Sequence, residues 1–259
     1  MMTSHNIIGV VGGVGPYAGL DLVRKIFDQT IAENDQQHLS VALLSLPGRI
    51  EPRTEFLLGE IETNPGVAVA DIICQLEQLG AGVIGIPCNT MFAPPIFEVI
   101  LQSLKAADCD LEPVHMIKNT ADFMGEFYPE IRKVGLLCTR GTYLSHIYRD
   151  YLEPAGLEVV LPEESARKEL VHDSILDPEY GIKVHSHPVT DRARRQLLGV
   201  ISDLENQGAR AVILGCTELP LAITETKIGP TIMIDPTLLL ARKLISLAAP
   251  DQLKPLSDN

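Results

Sequence analysis

The sequence lacks the features of proteins that bind nucleic acids or membranes. Its 259 residues include 21 Lys and Arg against 34 Asp and Glu, which gives a net charge of −13, and no run is rich in Lys or Arg. Because this charge repels phosphate backbones and anionic lipids, we exclude nucleic acid and membrane as partners. No stretch approaches the ~20 apolar residues that a membrane-spanning helix needs.

Signals for export and for disulfide chemistry are also missing. Residues 1–6 lack the basic and apolar regions of a signal peptide. The five cysteines are an odd number, and no two of them form a Cys-x-x-Cys motif. The sequence therefore predicts a cytoplasmic protein with free thiols, and it disfavours a thiol redox protein.

An internal duplication is the main feature that the sequence does contain. Residues 75–88 align without a gap with residues 203–216, and Leu, Glu, Gly, Ala and Cys coincide in the two segments. Residues 8–17 align with residues 134–143 at nearly the same offset. A period this long is not that of a solenoid, so it predicts two similar domains with a site between them.

Apolar, β-branched runs alternate with amphipathic helical patterns in both halves. Such strands are typical of parallel sheets that are covered by helices on both faces. We therefore predict an α/β fold of two similar parallel-sheet domains, related by pseudo-two-fold symmetry, with the active site in the cleft between them. The predicted first domain comprises residues 1–112 and 226–259, because a late helix at 238–247 packs back on it, and the second comprises residues 113–225.

Each half ends its duplicated segment with a cysteine, Cys88 or Cys216, in a strand-to-helix turn. A single cysteine after a strand is usually a small buried hydrophobe. The duplication favours a functional pair, and the helix dipole at such a turn favours the thiolate. Two thiols on opposite sides of a cleft are suited to removing a proton from one face of a carbon and returning one from the other.

A carbanion formed in this way needs hydrogen-bond donors that meet its charge. Asn89, Thr90 and Thr217 follow the two cysteines and can supply such donors together with the backbone N–H groups of the turns. The alternative role for these residues is ordinary helix capping.

At these motifs the chain resembles the aspartate/glutamate racemase family, and most of all its aspartate racemase branch. The motifs extend over nearly the whole chain, and their order and spacing are specific. They are Gly12-Gly13-Val14-Gly15-Pro16, Pro52-Arg53-Thr54 with Leu57-Leu58-Gly59 and Asn64-Pro65, Cys88-Asn89-Thr90, and Gly215-Cys216-Thr217-Glu218-Leu219.

The resemblance implies a racemase that works without pyridoxal phosphate or another cofactor and forms a homodimer. It implies that Cys88 and Cys216 transfer the protons and that Arg53 binds the distal carboxylate of an amino acid substrate. Lys183 is similar to a family lysine that reaches the same carboxylate. The loop that contains Gly13 and Val14 forms a wall of the substrate pocket in this family.

Two departures from the family pattern concern the specificity. Val14 stands where relatives often have Met, and Met91-Phe92 stands where Ala-His often follows. The second change makes the pocket edge more apolar. His185 and His187 could suggest a metal pair, but no third ligand has suitable spacing, so we interpret them as loop residues.

The sequence thus predicts racemisation of aspartate, or of glutamate, by two cysteines. Maleate isomerase and hydantoin racemase keep the same fold and stay open as alternatives, and a decarboxylase, which needs one thiol, is disfavoured. From a different class, a non-catalytic protein that binds dicarboxylates is the alternative. Glutamate racemases usually carry an Asp-Ser pair where Val10-Val11 stands.

Overall fold

The computed structural model describes residues 7–256, and the segment 1–6, on which the signal-peptide prediction rests, lies outside the described residues. The chain divides into two compact units. The first comprises the residues up to Asn119 together with those from Thr237 onward, and the second is Thr120–Pro236. Each unit is described separately below.

The first unit contains a parallel sheet of three strands in the order β2-β1-β3. Short 3₁₀ helices lie at Asp35–Gln37, Pro47–Arg49, Asn89–Phe92 and Pro250–Gln252. The strands and α-helices in chain order are β1 (Ile7–Gly12), α1 (Pro16–Gln29), β2 (Val41–Ser45), α2 (Arg53–Leu57), α3 (Pro65–Gln78), β3 (Ala81–Gly85), α4 (Pro94–Ala106) and α5 (Met116–Phe127), which continues into the second unit.

The second unit contains a sheet of five strands in the order β5-β4-β6-β8-β7. A π-helix, Arg167–His172, lies between α8 and α9. The strands and α-helices are β4 (Lys133–Leu137), α6 (Arg140–Leu144), α7 (Ile147–Leu152), β5 (Glu158–Val160), α8 (Glu164–Ala166), α9 (Asp173–Leu176), α10 (Asp191–Asn206), β6 (Ala211–Leu214), α11 (Leu219–Ala222), β7 (Lys227–Ile228), β8 (Thr231–Ile234) and α12 (Pro236–Ala248), which belongs to the first unit from Thr237.

Local sequence accounts for where the long helices begin. Pro16 opens α1 and Pro65 opens α3, at positions where the missing N–H and the fixed φ of proline suit a first turn. The side chain of Asn64 accepts a hydrogen bond from Gly66 N–H at 2.8 Å, and Thr190 caps α10 in the same way at Ala193. These caps fix the two helices that precede β3 and β6.

The last part of the chain differs in one respect from the predicted domain boundaries. The prediction places residues 226–259 in the first domain, whereas β7 and β8 belong to the sheet of the second unit. Strand β8 pairs in parallel with β6, because Thr231 to Ile234 form an apolar run beside the most buried strand of that sheet. The return to the first unit starts at α12.

Helix α12 then packs against the first sheet, as the sequence predicts. A Cβ built on Gly85 at the end of β3 would lie 2.6 Å from Leu244 Cδ1, so this helix approaches the strand closely. The side chain of Arg242 also donates a hydrogen bond to the side chain of Gln29. The chain therefore enters the first unit twice.

The duplication predicted from the sequence is confirmed at the ends of α3 and α10. Gly80 and Gly208 follow these helices, and both have positive φ, +91° and +96°. Gly80 N–H donates to the Glu77 carbonyl at 2.8 Å, and Gly208 N–H donates to the Glu205 carbonyl at 2.9 Å. The same type of helix-ending turn therefore precedes the strand that leads to each cysteine.

Matching glycines on β1 and β4 give a second, independent correspondence. A Cβ on Gly9 would meet Leu76 and Ile84, and a Cβ on Gly135 would meet their aligned counterparts Leu204 and Val212. Because these glycines have no side chain, α3 can lie close to the first sheet and α10 can lie close to the second. Across residues 7–256, no helix combines the length and apolar character that crossing a membrane requires.

Candidate active site

The turn at Cys88 follows β3 at the carboxyl edge of the first sheet. Cys88 N–H donates to the Ile86 carbonyl at 2.8 Å, and the Cys88 carbonyl accepts from Met91 N–H at 3.2 Å. These bonds form a tight turn around Pro87 and start the 3₁₀ helix that follows. Cys88 is 7% exposed, so its side chain is held in the turn and is largely buried.

The turn at Cys216 occupies the equivalent place after β6 in the second unit. Gly215 N–H donates to the Leu137 carbonyl at 2.7 Å, and a Cβ at Gly215 would lie 2.9 Å from that same oxygen. Only glycine allows this approach. The Cys216 carbonyl accepts from Leu219 N–H at 2.9 Å, and Cys216 is 8% exposed.

A buried carboxylate contacts the thiol of Cys216. The Cys216 Sγ donates to Glu218 Oε2 at 3.0 Å, and Lys183 Nζ donates to Glu218 Oε1 at 2.7 Å. The side chain of Glu218 is 4% exposed, and that of Lys183 is 26% exposed. Lys183, Glu218 and Cys216 therefore form one connected chain of hydrogen bonds within the second unit.

The pKa of the Cys216 thiol differs from the expectation for a cysteine in a strand-to-helix turn. Burial and, after it, the negative charge of Glu218 raise the pKa of the Cys216 thiol well above its ordinary value, and Lys183 offsets this only in part. The expectation that the helix dipole favours a thiolate is wrong for Cys216, because α11 has only four residues and these two effects dominate. The Cys216 side chain is a thiol at neutral pH.

The role of Glu218 was not predicted from the sequence, although this residue belongs to the motif Gly215-Cys216-Thr217-Glu218-Leu219. In the alignment of the two halves, Glu218 stands opposite Thr90, so the two cysteine turns differ in charge. This difference was the available signal. A carboxylate two residues after a candidate acid or base is a group that can change its pKa.

The polar residues beside the cysteines are all buried. Asn89 is 2% exposed, Thr90 is 7% exposed and Thr217 is 2% exposed. The capping positions of the two short helices are occupied by Cys88 and Glu218, so none of the three polar residues stands at an N-cap. Thr217 Oγ1 donates to Glu218 Oε2 at 3.4 Å, which adds a third donor to that carboxylate after Cys216 and Lys183.

Arg53 and the glycine-rich loop come together in the first unit. Arg53 Nη2 donates to the Val14 carbonyl at 3.0 Å, across 39 positions of sequence. Gly13 has φ +81°, and a Cβ there would lie 2.7 Å from the backbone nitrogen of Pro47. The loop is thus packed against the end of β2, and it carries Val14, which is 1% exposed.

Met91 and Phe92, which replace the family's Ala-His, lie in the interior. They are 0% and 1% exposed. The ring of Phe92 packs against the rings of Phe97 and His115, with centroids 5.2 and 4.7 Å away. Burial lowers the pKa of His115 to about 4, so this imidazole is neutral and the cluster is an apolar support under the Cys88 turn.

Two of the three other cysteines have thiols whose pKa is raised by burial. Burial raises the pKa of Cys109 to about 12, and it raises the pKa of Cys138 well above the ordinary value. Cys74 lies on α3. His185 and His187 precede α10, and within residues 7–256 no group of three or more His, Cys, Asp or Glu side chains is arranged to hold a metal ion.

Two α/β units that each place a cysteine turn at the carboxyl edge of a parallel sheet define the class of this protein. The chain belongs to the Asp/Glu/Hydantoin racemase family, whose model matches residues 11–244. Aspartate racemase from Picrophilus torridus is 29% identical, with a TM-score of 0.79 over 96% of this chain and 96% of that chain. An aspartate racemase homologue from Pyrococcus horikoshii OT3 is 26% identical, with a TM-score of 0.70 over 94% of this chain and 99% of that chain.

A more distant relative confirms the fold alone. Glutamate racemase from Francisella tularensis subsp. tularensis SCHU S4, solved with D-glutamate, is 19% identical, with a TM-score of 0.62 over 99% of this chain and 86% of that chain. The predicted family and the α/β fold with parallel sheets are therefore confirmed. The family makes the protein an isomerase of the racemase type.

Proposed function

We propose that this protein racemises an acidic amino acid, with aspartate as the first candidate, by proton transfer through Cys88 and Cys216 and without pyridoxal phosphate. The observation that carries the proposal is the repeated cysteine turn, which follows equivalent strands in the two units of a chain that belongs to the racemase family. The structural likeness to aspartate racemase from Picrophilus torridus supports aspartate as the substrate.

In the proposed mechanism the two cysteines have different roles. Cys216 starts as the acid, because burial and Glu218 raise its pKa and keep the proton on sulfur. Cys88 starts as the base and removes the α-proton, after which Cys216 delivers its proton to the other face of the carbon. The S–H bond of Cys216 breaks, the new C–H bond forms, and the substrate leaves with inverted configuration.

Glu218 supports the return of the enzyme to its starting state in this proposal. Its Oε2 accepts the hydrogen bond of the Cys216 thiol, so it disfavours a long-lived thiolate at that position. Lys183 Nζ pairs with this buried carboxylate at 2.7 Å.

The charge that develops on the substrate needs fixed donors. Asn89, Thr90 and Thr217 are the proposed side-chain donors, and all three are buried beside the cysteine turns, where a hydrogen bond to a developing charge is stronger than in water. Arg53 is the proposed partner of the distal carboxylate, since its planar guanidinium can form two parallel bonds to one carboxylate. Its bond to the Val14 carbonyl orients the side chain.

The test is a chiral assay with each enantiomer of aspartate and glutamate, extended to hydantoins and maleate. We expect interconversion of L- and D-aspartate in both directions, with no loss of rate after treatment with hydroxylamine, which removes pyridoxal phosphate from enzymes that use it. Activity on a hydantoin or on maleate alone would transfer the assignment to those reactions. Absence of turnover with every substrate, together with calorimetric binding of aspartate, would support the non-catalytic alternative.

A further inference from the structure

A cavity of about 510 Å³ lies in the second unit, beside the carboxyl end of β4. It is lined by α6 on one side and, on the other, by the helical segment that runs from α8 through the π-helix into α9. Its volume lies within the roughly 300–1,000 Å³ that small-molecule pockets have. Its lining includes neither Lys183 nor any residue of the Cys216 turn.

Arg167 is one of three cations that line this cavity. Its guanidinium carbon lies 5.7 Å from the centroid of the Tyr143 ring, and its Nε is buried without a hydrogen-bond partner. No carboxylate of residues 7–256 forms an ion pair with it. Only Nε is buried, so the terminal nitrogens of the guanidinium group, which have no carboxylate partner among these residues, can meet an anion in the cavity.

Tyr143 provides a fixed surface under Arg167. Its hydroxyl accepts from Cys138 N–H and donates to the Leu136 carbonyl, each at 3.1 Å. With the hydroxyl bound at the end of β4, the ring cannot turn away when a ligand enters. A guanidinium group within cation–π distance of an aromatic ring keeps its planar donors available for a ligand.

The other charges of the lining add to the positive potential. Arg140 and Lys168 are exposed cations at the cavity, and Glu164 and Asp173 are its two carboxylates. The balance is one positive charge, in a chain whose net charge is −13. A locally positive cavity on a strongly acidic protein is the kind of field that concentrates small anions.

The backbone at the cavity is also unusual. Arg167, Lys168 and His172 all belong to the six-residue π-helix Arg167–His172. π-helical turns are rare and are found frequently at functional sites, where they change the direction of side chains relative to a regular α-helix. His172 Nδ1 accepts from Arg140 N–H at 3.4 Å, which ties this segment to α6 across the cavity.

We infer that this cavity is a binding site for the oxyanion group, phosphate or carboxylate, of a small molecule. Arg167 donates to the oxyanion, and Arg140 and Lys168 contribute long-range attraction. The apolar part of the ligand lies on the ring of Tyr143 and on Leu144, which is 51% exposed at the cavity. The site does not depend on the racemase reaction.

Calorimetric titration of the full chain with inorganic phosphate, at constant ionic strength held with chloride, tests this inference. We expect saturable binding to one site, weakened about tenfold or more in Arg167→Gln, since a hydrogen bond to a charged group is worth at least that factor. The exposed Lys168→Gln variant should weaken binding by a smaller factor. The matched control is Arg195→Gln, which removes an exposed charge from α10 and should bind phosphate like the wild type.

A second titration with aspartate in the presence of phosphate identifies the source of the oxyanion. Displacement of phosphate by aspartate shows that an amino acid carboxylate occupies the cavity, and independent binding shows that another anion does; both outcomes support the site. Absence of saturable phosphate binding, or equal affinity in wild type, Arg167→Gln and Lys168→Gln, overturns it. Urea unfolding of each variant shows whether a loss of binding reflects a loss of fold.

Discussion

The Oε2 atom of Glu218 lies 3.0 Å from the Sγ atom of Cys216, and both side chains are almost completely buried. This contact makes the second cysteine turn chemically different from the first, although the two turns are repeated in sequence and in local structure. It assigns the resting proton to Cys216, and this assignment leads to the first prediction.

Replacing Glu218 by Gln should lower the pKa of the Cys216 thiol, because the amide keeps the shape of the side chain and removes its negative charge. Alkylation of Cys216 by iodoacetamide, followed by peptide mass spectrometry as a function of pH, measures this directly. The kcat for racemisation should fall about tenfold or more, within the range that general acid–base groups contribute.

Lys183→Met serves as the opposing control for that experiment. It removes the charge that partly offsets Glu218, so the pKa of Cys216 should rise and alkylation should slow. The Glu179→Gln variant loses an exposed carboxylate elsewhere in the second unit. It should change neither the alkylation rate of Cys216 nor the kcat for racemisation. Equal alkylation profiles in wild type and Glu218→Gln would show that Glu218 does not control this thiol.

Arg53→Gln should raise the KM for aspartate about a hundredfold while kcat changes less, because the lost ion pair binds the ground state and the transition state alike. Steady-state kinetics with L- and D-aspartate provide the measurement. Arg49→Gln is the matched control, since Arg49 is an exposed arginine on the preceding 3₁₀ helix that pairs with Asp71. An equal rise of KM in both variants would remove Arg53 from the substrate site.

Gly13→Ala should destabilise the protein by about 2 kcal/mol or more, because alanine has to adopt φ +81° and its Cβ would meet the Pro47 nitrogen at 2.7 Å. A Cβ at Gly48, which follows Pro47 on the 3₁₀ helix after β2, meets nothing within 4 Å, so Gly48→Ala should be neutral or slightly stabilising. Urea unfolding compares the two. Similar unfolding midpoints would contradict the close packing of the glycine-rich loop.

Stability should fall as the pH rises above about 9. Burial raises the pKa of Cys138 above the ordinary 9.0, so the unfolded chain loses this proton before the folded chain does. The contribution is complete below pH 9 and is lost as the pH rises toward the folded pKa, with a slope of at most about 1.4 kcal/mol per pH unit. Urea unfolding of Cys138→Ala between pH 8 and pH 10 should show a shallower decline than the wild type, and parallel declines would contradict this origin.

The sequence could predict the strands and helices around both cysteines because those segments are apolar, regular and repeated. Gly80 and Gly208 mark the same helix ending in both halves, and the runs before Cys88 and Cys216 are too apolar for any place but a buried strand. The pairing of Lys183 with Glu218 could not be predicted in this way. It joins residues 35 positions apart through an irregular segment before α10, where no periodic pattern specifies direction.

The position of β8 and the charged cavity could not be predicted from the sequence for a related reason. Thr231 to Ile234 is a four-residue run whose neighbour in the sheet, β6, is decided by tertiary packing rather than by local propensity. Arg167 and Tyr143 come together through the tertiary packing of the π-helix near α6, across 24 positions of sequence. A single sequence contains no pattern that indicates either feature.

The most direct test of two-cysteine catalysis is the isotope content of the product formed from L-aspartate in deuterated buffer at low conversion. If Cys88 and Cys216 act as separate proton donors and acceptors, the D-aspartate formed carries deuterium at the α-carbon, while the remaining L-aspartate keeps its protium. Cys88→Ala and Cys216→Ala should each abolish this inversion. Protium retained in the D-aspartate, or full activity in either variant, would contradict the account.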